Sequence, residues 1–134
     1  MRKRFELLAQ ARKKYLSANP VRTISLPSHT ADGTPGSDFT FPNLDDAGIV
    51  GCKLGMEYLA VCHDPEAVEE WIGAVMSIAK EPDHAGILFA NVFRGMNTVI
   101  GEIISNAGLR SKMQQLALEA WQKDFGKEFA GGTS

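Results

Sequence analysis

The sequence predicts a small, mainly α protein: four or five helices packed as a bundle around one long helix, a basic helix at the N-terminus, and a long irregular connection with room for a short β-hairpin within residues 21–41. Three observations lead there. Apolar residues after residue 46 recur at spacings of three and four, the period of an amphipathic helix. Helix boundaries are marked by Pro20, by Asp64 with Pro65, by Pro82 and by Gly108, residue types that start or stop helices. From Ala18 to Asp46 the period gives way to Pro20, Pro27, Gly33, Pro35, Gly36 and Pro42, which punctuate regular structure. At 134 residues, 44% hydrophobic and 22% charged, the chain has the size of one domain and buries about two-thirds of its unfolded surface. Residues 1–134 are read as a single domain.

The first helix covers residues 2–17. Wound at about 100° per residue, it gathers Phe5, Leu8, Ala9, Tyr15 and Leu16 on one face and spreads its cations over the rest. Asn19 and Pro20 end it, because proline disfavours the helical region in the residue before it and has no N–H to donate. The connection, residues 18–46, contains two candidate strands, Val21–Leu26 and Asp38–Phe41, with Ser28–Ser37 as a mobile tip. Ile24, Leu26, Phe39, Phe41 and Leu44 are too apolar for a free linker. They are expected against the helical body or a partner.

The helical body runs from 47 to 129. Its first helix, 47–62, places Lys53 and Glu57 on the polar side and Ile49, Cys52, Met56, Leu59 and Ala60 opposite. Gly48, Gly51 and Gly55 each cost about 1 kcal/mol against alanine in a helix, so a strand over Tyr58–Cys62 competes with this reading. Small residues that let helices approach closely explain the glycines best. Asp64 then caps a helix that Pro65 opens and Glu66 stabilises through the helix dipole; Val68, Trp71, Ile72, Val75, Ile78 and Ala79 are its buried stripe as far as Lys80. Glu81, Pro82 and Asp83 interrupt the chain before the central helix, His84–Ala107. There Leu88, Phe89, Val92, Phe93, Met96, Val99, Ile100, Ile103 and Ile104 cover nearly half the circumference. Gly108 reads as a left-handed C-cap. A last helix, Leu109 to about Phe125, is expected to bury Leu109, Met113, Leu116, Ala117, Ala120 and Trp121, before a frayed tail at 130–134.

Charge is the strongest functional signal. The first 22 residues hold seven of the 14 Lys and Arg and one acid, Glu6, so that segment is net +6 while the remainder is net −8. Such asymmetry suggests a basic arm for phosphate, an anionic membrane or an acidic protein surface. Arg2, Lys3, Arg4, Arg12, Lys13 and Lys14, with Arg22 nearby, would place cations along a nucleic-acid backbone, where counterion release drives binding without reading sequence. Phe5 or Tyr15 would add stacking on a single strand. The plain alternative is a solvated helix whose charges pair with the acidic body.

A second pattern lies on the central helix. Asn91, Arg94, Thr98, Glu102 and Ser105 form one polar stripe with Asn97 at its edge, suited to a partner helix, a ligand groove or simply solvent. Cys52, Cys62, His63 and His84 lack the paired spacing of a zinc site; the cysteines are read as reduced, buried thiols, and a Cys62–His63 nucleophilic pair is a minor alternative. The glycines at 48, 51 and 55 fit neither a dinucleotide fingerprint nor a phosphate loop. Arg110, Lys112, Gln114 and Gln115 after Gly108 superficially suggest a recognition helix, but an ordinary helical hairpin fits better, since the helix before it is too long for that motif.

No catalytic, metal or cofactor motif emerges, and no unbroken apolar run approaches the roughly 18 residues of a spanning helix. The protein is expected to be cytoplasmic, with no transmembrane segment. It reads as a non-enzymatic interaction or assembly protein that contacts a protein partner or a second copy through its basic helix and the following loop. The alternative is a nucleic-acid-binding subunit that follows the backbone without reading bases, and an enzyme with an unrecognised site is the third possibility.

Overall fold

The computed structural model describes residues 2–27, 29–36 and 39–123, with side chains from Phe5 onward. It is mainly helical, with a small two-stranded antiparallel sheet, as the sequence predicts. The elements in order are α1 (Arg2–Ala18), β1 (Thr23–Leu26), β2 (Phe39–Pro42), α2 (Leu44–Val61), α3 (Pro65–Ala79), α4 (Pro82–Asn106) and α5 (Arg110–Gln122). Residues Met1–Asn97 form one compact unit and Thr98–Ser134 a second, the boundary falling inside α4. Asp38 at the expected strand start, Ser28 and Ser37 at the ends of the expected tip, the region toward Phe125 and the tail at 130–134 lie outside the described residues.

The hairpin pairs Thr23 with Pro42, Ile24 with Phe41, Ser25 with Thr40 and Leu26 with Phe39. Pro42 sits where a missing N–H is harmless, at the end of its strand. One step further Asn43 N–H donates to the Arg22 carbonyl at 2.7 Å, and Asn43 becomes the N-cap of α2, its side chain accepting from Asp46 N–H at 3.0 Å. That cap explains why α2 opens at Leu44 rather than Ala47: Asn43, with Asp45 and Asp46 in the first turn, satisfies the free N–H groups and complements the helix dipole. At the hairpin tip, Asp32 accepts from Thr34 N–H at 3.1 Å, from Thr34 Oγ1 at 2.7 Å and from Thr30 Oγ1. These donors hold its carboxyl down at about 2.

α3 starts as its residues predict, with the Asp64 carboxylate accepting from Ala67 N–H at 3.1 Å and Pro65 in the first turn. It ends less predictably. Lys80 has φ 64° and ψ −45°, and Glu81 N–H donates across it to the Ala79 carbonyl at 2.6 Å. This is a γ-turn with its central residue at positive φ, a strained conformation for a side chain with a Cβ. Pro82 then begins α4 two residues before the expected His84.

The core of the first unit comes from three helices. Ala47, Val50, Leu54 and Val61 of α2 meet Ala67, Trp71, Val75 and Ala79 of α3 and Ala85, Leu88, Val92 and Met96 of α4, all buried. Trp71 is the largest of them. Its indole N–H donates to the Leu54 carbonyl at 3.0 Å, while Tyr58 and Phe89 meet its ring edge-on at 4.9 and 6.1 Å. A buried indole thus keeps a partner for its one donor.

α2 and α4 touch backbone to backbone. A Cβ on Gly51 would lie 2.5 Å from Asn91 Cβ, one on Gly55 would lie 2.7 Å from the Val92 carbonyl oxygen, and one on Gly95 would lie 2.6 Å from Cys52 Cα. The close-approach reading of Gly51 and Gly55 holds, and Gly95 supplies its counterpart on α4. α4, the helix the sequence pattern makes central, meets α2 here, α3 through Phe89 on Trp71, and the hairpin through His84. α2 contacts α1, α3 and α4 in turn.

Several expected burials fail. Cys52 and Cys62 are free thiols but exposed: Cys52 lies against Gly95 of α4 and lines the groove beside α1, and Cys62 is the C-cap, its thiol donating back to the Leu59 carbonyl at 3.6 Å. Phe93 and Ile103 of α4 are exposed, and α5 buries no residue, with Trp121 89% exposed. Gly108 behaves as expected, at φ 71°. Its N–H donates to Ser105 and that of Leu109 to Ile104, at 3.1 and 2.9 Å, the pair of bonds that defines a Schellman motif. By length and composition α4 is also apolar enough to cross a membrane, with a window of mean hydropathy 1.3 of which 17% is buried. Arg94, Asn91 and Asn97 hide this from a search for unbroken apolar runs.

The glycine contact generates a signed prediction. Gly51→Ala and Gly95→Ala each destabilise by about 1–3 kcal/mol, because the new methyl meets backbone that cannot yield cheaply. Gly73→Ala and Gly86→Ala, which meet nothing within 4 Å, stabilise by about 0.5–1 kcal/mol through helix propensity. Urea melts of the four variants check the contrast; equal effects would remove the contact as the cause.

Candidate functional site

The surface that gathers the most chemistry is the seam between α1 and α2. Contacts that climb α1 descend α2: Phe5 lies on the His63 ring at 5.9 Å, Arg12 pairs with Glu57, and the Lys53 ammonium sits 4.5 Å above the Tyr15 ring. Beyond the helix, Arg22 reaches Asp46 near the start of α2. The two helices are therefore antiparallel neighbours. The apolar face predicted for α1 is the one turned inward, with Phe5, Leu8, Ala9, Tyr15 and Leu16 all half-buried.

The seam resolves part of the basic cluster. Arg12 and Glu57 are both largely buried, their side chains 16% and 12% exposed. Burial pushes the Glu57 carboxyl up, and Arg12 opposes that shift. Arg22 forms a bidentate pair, Nε to Asp46 Oδ2 at 2.8 Å and Nη2 to Oδ1 at 2.9 Å, while its backbone N–H donates to the same carboxylate at 3.1 Å. This holds the Asp46 carboxyl down at about 2. Lys13 and Lys14 remain exposed on α1. The side chains of Arg2, Lys3 and Arg4 lie outside the described residues.

The polar stripe of α4 is not one surface. Asn91 is half-buried under α2, donating Nδ2 to the Ile87 carbonyl at 3.0 Å, whereas Arg94, Thr98 and Glu102 are exposed. Asn91 acts as packing. The thiol of Cys62 and the ring of His63 turn to different partners, Leu59 and Phe5, so adjacency in sequence makes no nucleophile–base pair. Among the described residues no group of three or more His, Cys, Asp and Glu could hold a metal ion.

No known protein family, curated protein or solved structure matches this chain. The residues themselves must carry the reading.

Two features escape sequence reasoning. His84 is buried, and its Nε2 lies 3.0 Å from the Thr40 carbonyl and 3.4 Å from Glu81 Oε2, which ties the hairpin to the start of α4. No local pattern announces a contact spanning 44 residues. The other is a groove in the α1–α2 seam, of about 420 Å³. Its only trace in the sequence is an apolar face on each helix.

Acid titration separates the two ion pairs. Asp46 binds fewer protons folded than unfolded, so its contribution is complete above about pH 4, near the ordinary aspartate value, and is lost as pH falls toward about 2. Glu57 has the opposite sign: raised by burial, it contributes fully below the ordinary glutamate value and loses that contribution as pH rises through its folded pKa. Urea midpoints of Asp46→Asn should therefore fall less steeply than wild type on acidification, while those of Glu57→Gln should lack the decline on the alkaline side of the glutamate range. Parallel profiles for both variants and wild type would contradict the assignment.

Proposed function

We propose that this protein is a non-enzymatic assembly protein whose contact surface is the β-hairpin that follows the basic helix. One observation carries the reading. Leu26 and Phe39 face each other across the ladder, 47% and 68% exposed, on a sheet of only two strands. An apolar cross-strand pair of this size is stabilising when covered and a liability when left in water. The hairpin that presents it is tied to the helices at two points, by Arg22 to Asp46 at its base and by Thr40 to His84 one rung from the apolar pair. An exposed apolar rung on a hairpin tied to the body at two points suits a protein contact. The apolar stripe of α5, none of it buried, offers a second such surface in the other unit.

Nucleic-acid binding is the runner-up, through exposed Lys13 and Lys14 together with the Arg2–Arg4 segment. The pairing of Arg12 with Glu57 and of Arg22 with Asp46 weighs against it, since a phosphate would have to compete with a carboxylate already in place.

Light scattering of the purified protein at low and high salt, with and without a short mixed-sequence oligonucleotide, decides between them. Assembly through the hairpin predicts a complex with a second copy that survives salt, disappears in the Leu26→Ser, Phe39→Ser double variant and persists in Lys13→Gln, Lys14→Gln. A complex that needs the oligonucleotide, forms only at low salt and is lost in the lysine variant would put the phosphate reading in its place.

A further inference from the structure

The groove between α1 and α2 is lined by apolar and by charged side chains. Leu8, Ala11 and Leu16 from α1 and Val50, Leu54 and Met56 from α2 make the walls apolar. Its volume, about 420 Å³, falls in the range of small-molecule sites, which combine apolar walls with a few placed polar groups. Those groups are Arg12, Tyr15, Lys53 and Glu57. They form neighbouring rungs, because Arg12 and Tyr15 are three apart on α1 while Lys53 and Glu57 are four apart on α2.

The charges do not cancel. Arg12 is neutralised by Glu57. Lys53 has the Tyr15 ring beneath it and, among the described residues, no carboxylate partner. The lining thus keeps one surplus positive charge beside an apolar slot. A monoanion with a hydrocarbon tail complements it: the tail replaces water between the walls, and the head meets an ammonium already held in place. A neutral chain would leave Lys53 unused, and a dianion would exceed the surplus.

We propose that the α1–α2 groove binds a free aliphatic monocarboxylate, a medium-chain fatty acid, with its chain between Leu8, Leu16, Val50 and Met56 and its carboxylate on Lys53. Arg12 and Glu57 stay paired and act as the side wall. The inference is independent of the hairpin surface and survives or fails without it.

The two free thiols provide the test. Cys52 lines the groove and Cys62 does not, while both are exposed. Full-length protein is alkylated with a thiol reagent while decanoate, kept below its micelle-forming concentration, is titrated in, and each cysteine is read by mass spectrometry. At a decanoate concentration about ten times its Kd, Cys52 should react about tenfold more slowly, by mass action; Cys62 should be unchanged. Decanol and decyltrimethylammonium should protect Cys52 much less. Lys53→Gln should bring decanoate down to the level of decanol, and Ala11→Trp, which fills the slot from an exposed position, should abolish protection; either variant suffices if the other does not fold. No protection of Cys52, equal protection of both thiols, decanol acting as well as decanoate on wild type, or protection by anionic vesicles alone would each overturn the proposal.

Discussion

The first unit depends on the backbone contact between α2 and α4. Gly51, Gly55 and Gly95 remove the side chains that would otherwise hold these helices apart, and in a close-packed interior a single methyl at such a point cannot be absorbed. The cost is local helix propensity, about 1 kcal/mol for each glycine. What it secures is the placement of α2. With one side against α4, α2 offers its Leu54 carbonyl to Trp71 of α3 and turns Lys53 and Glu57 toward α1. Three separate packing relations hang on one helix being free to come this close to another.

Charge follows from the same placement. The basic N-terminal segment and the acidic remainder look like two functional halves in the sequence, yet Arg12–Glu57 and Arg22–Asp46 stitch them together. The two pairs differ physically. Arg12–Glu57 is largely withdrawn from water, where removing one partner would leave the other stranded and costly. Arg22–Asp46 has its arginine side chain 69% exposed, where screening weakens the attraction; its value lies in the bidentate geometry that sets the hairpin on the start of α2. Part of the charge asymmetry is therefore architecture, and among the described side chains of α1 Lys13 and Lys14 are the cations left exposed to solvent.

Local signals in the sequence were legible because their physics is local. Asp64 with Pro65 starts α3, Pro20 follows the end of α1, Gly108 closes α4, β1 lies within its expected stretch and β2 overruns its own by one residue, to Pro42. Asn43 three residues before Asp46 was an equally local cap signal, and it accounts for the start of α2. Legibility ended where an outcome depends on a distant segment. Periodicity identifies an apolar face on α5 but not whether anything covers it, and it assigned Cys52 and Cys62 to the interior without knowing where α1 would stop shielding α2. Likewise, the partners of Arg12 and His84 lie 45 and 44 residues away in the chain.

The hairpin shows how these long-range ties make a surface out of an irregular segment. A two-stranded hairpin alone is marginal in water, and this one exposes two large apolar side chains. It is held at two levels of its ladder: Arg22 and Asn43 join its base to α2, and the Thr40 carbonyl, one rung from the exposed pair, meets His84 in the first turn of α4. His84 lies in the first turn of α4, which starts directly after the turn at Lys80, whose positive φ costs of order 1–3 kcal/mol. The strained turn, the buried histidine and the exposed Leu26–Phe39 pair are thus one arrangement. The turn at one end of α4 precedes a hydrogen bond that ties down the hairpin, and the tied hairpin keeps in water an apolar pair that a free loop would be able to fold away.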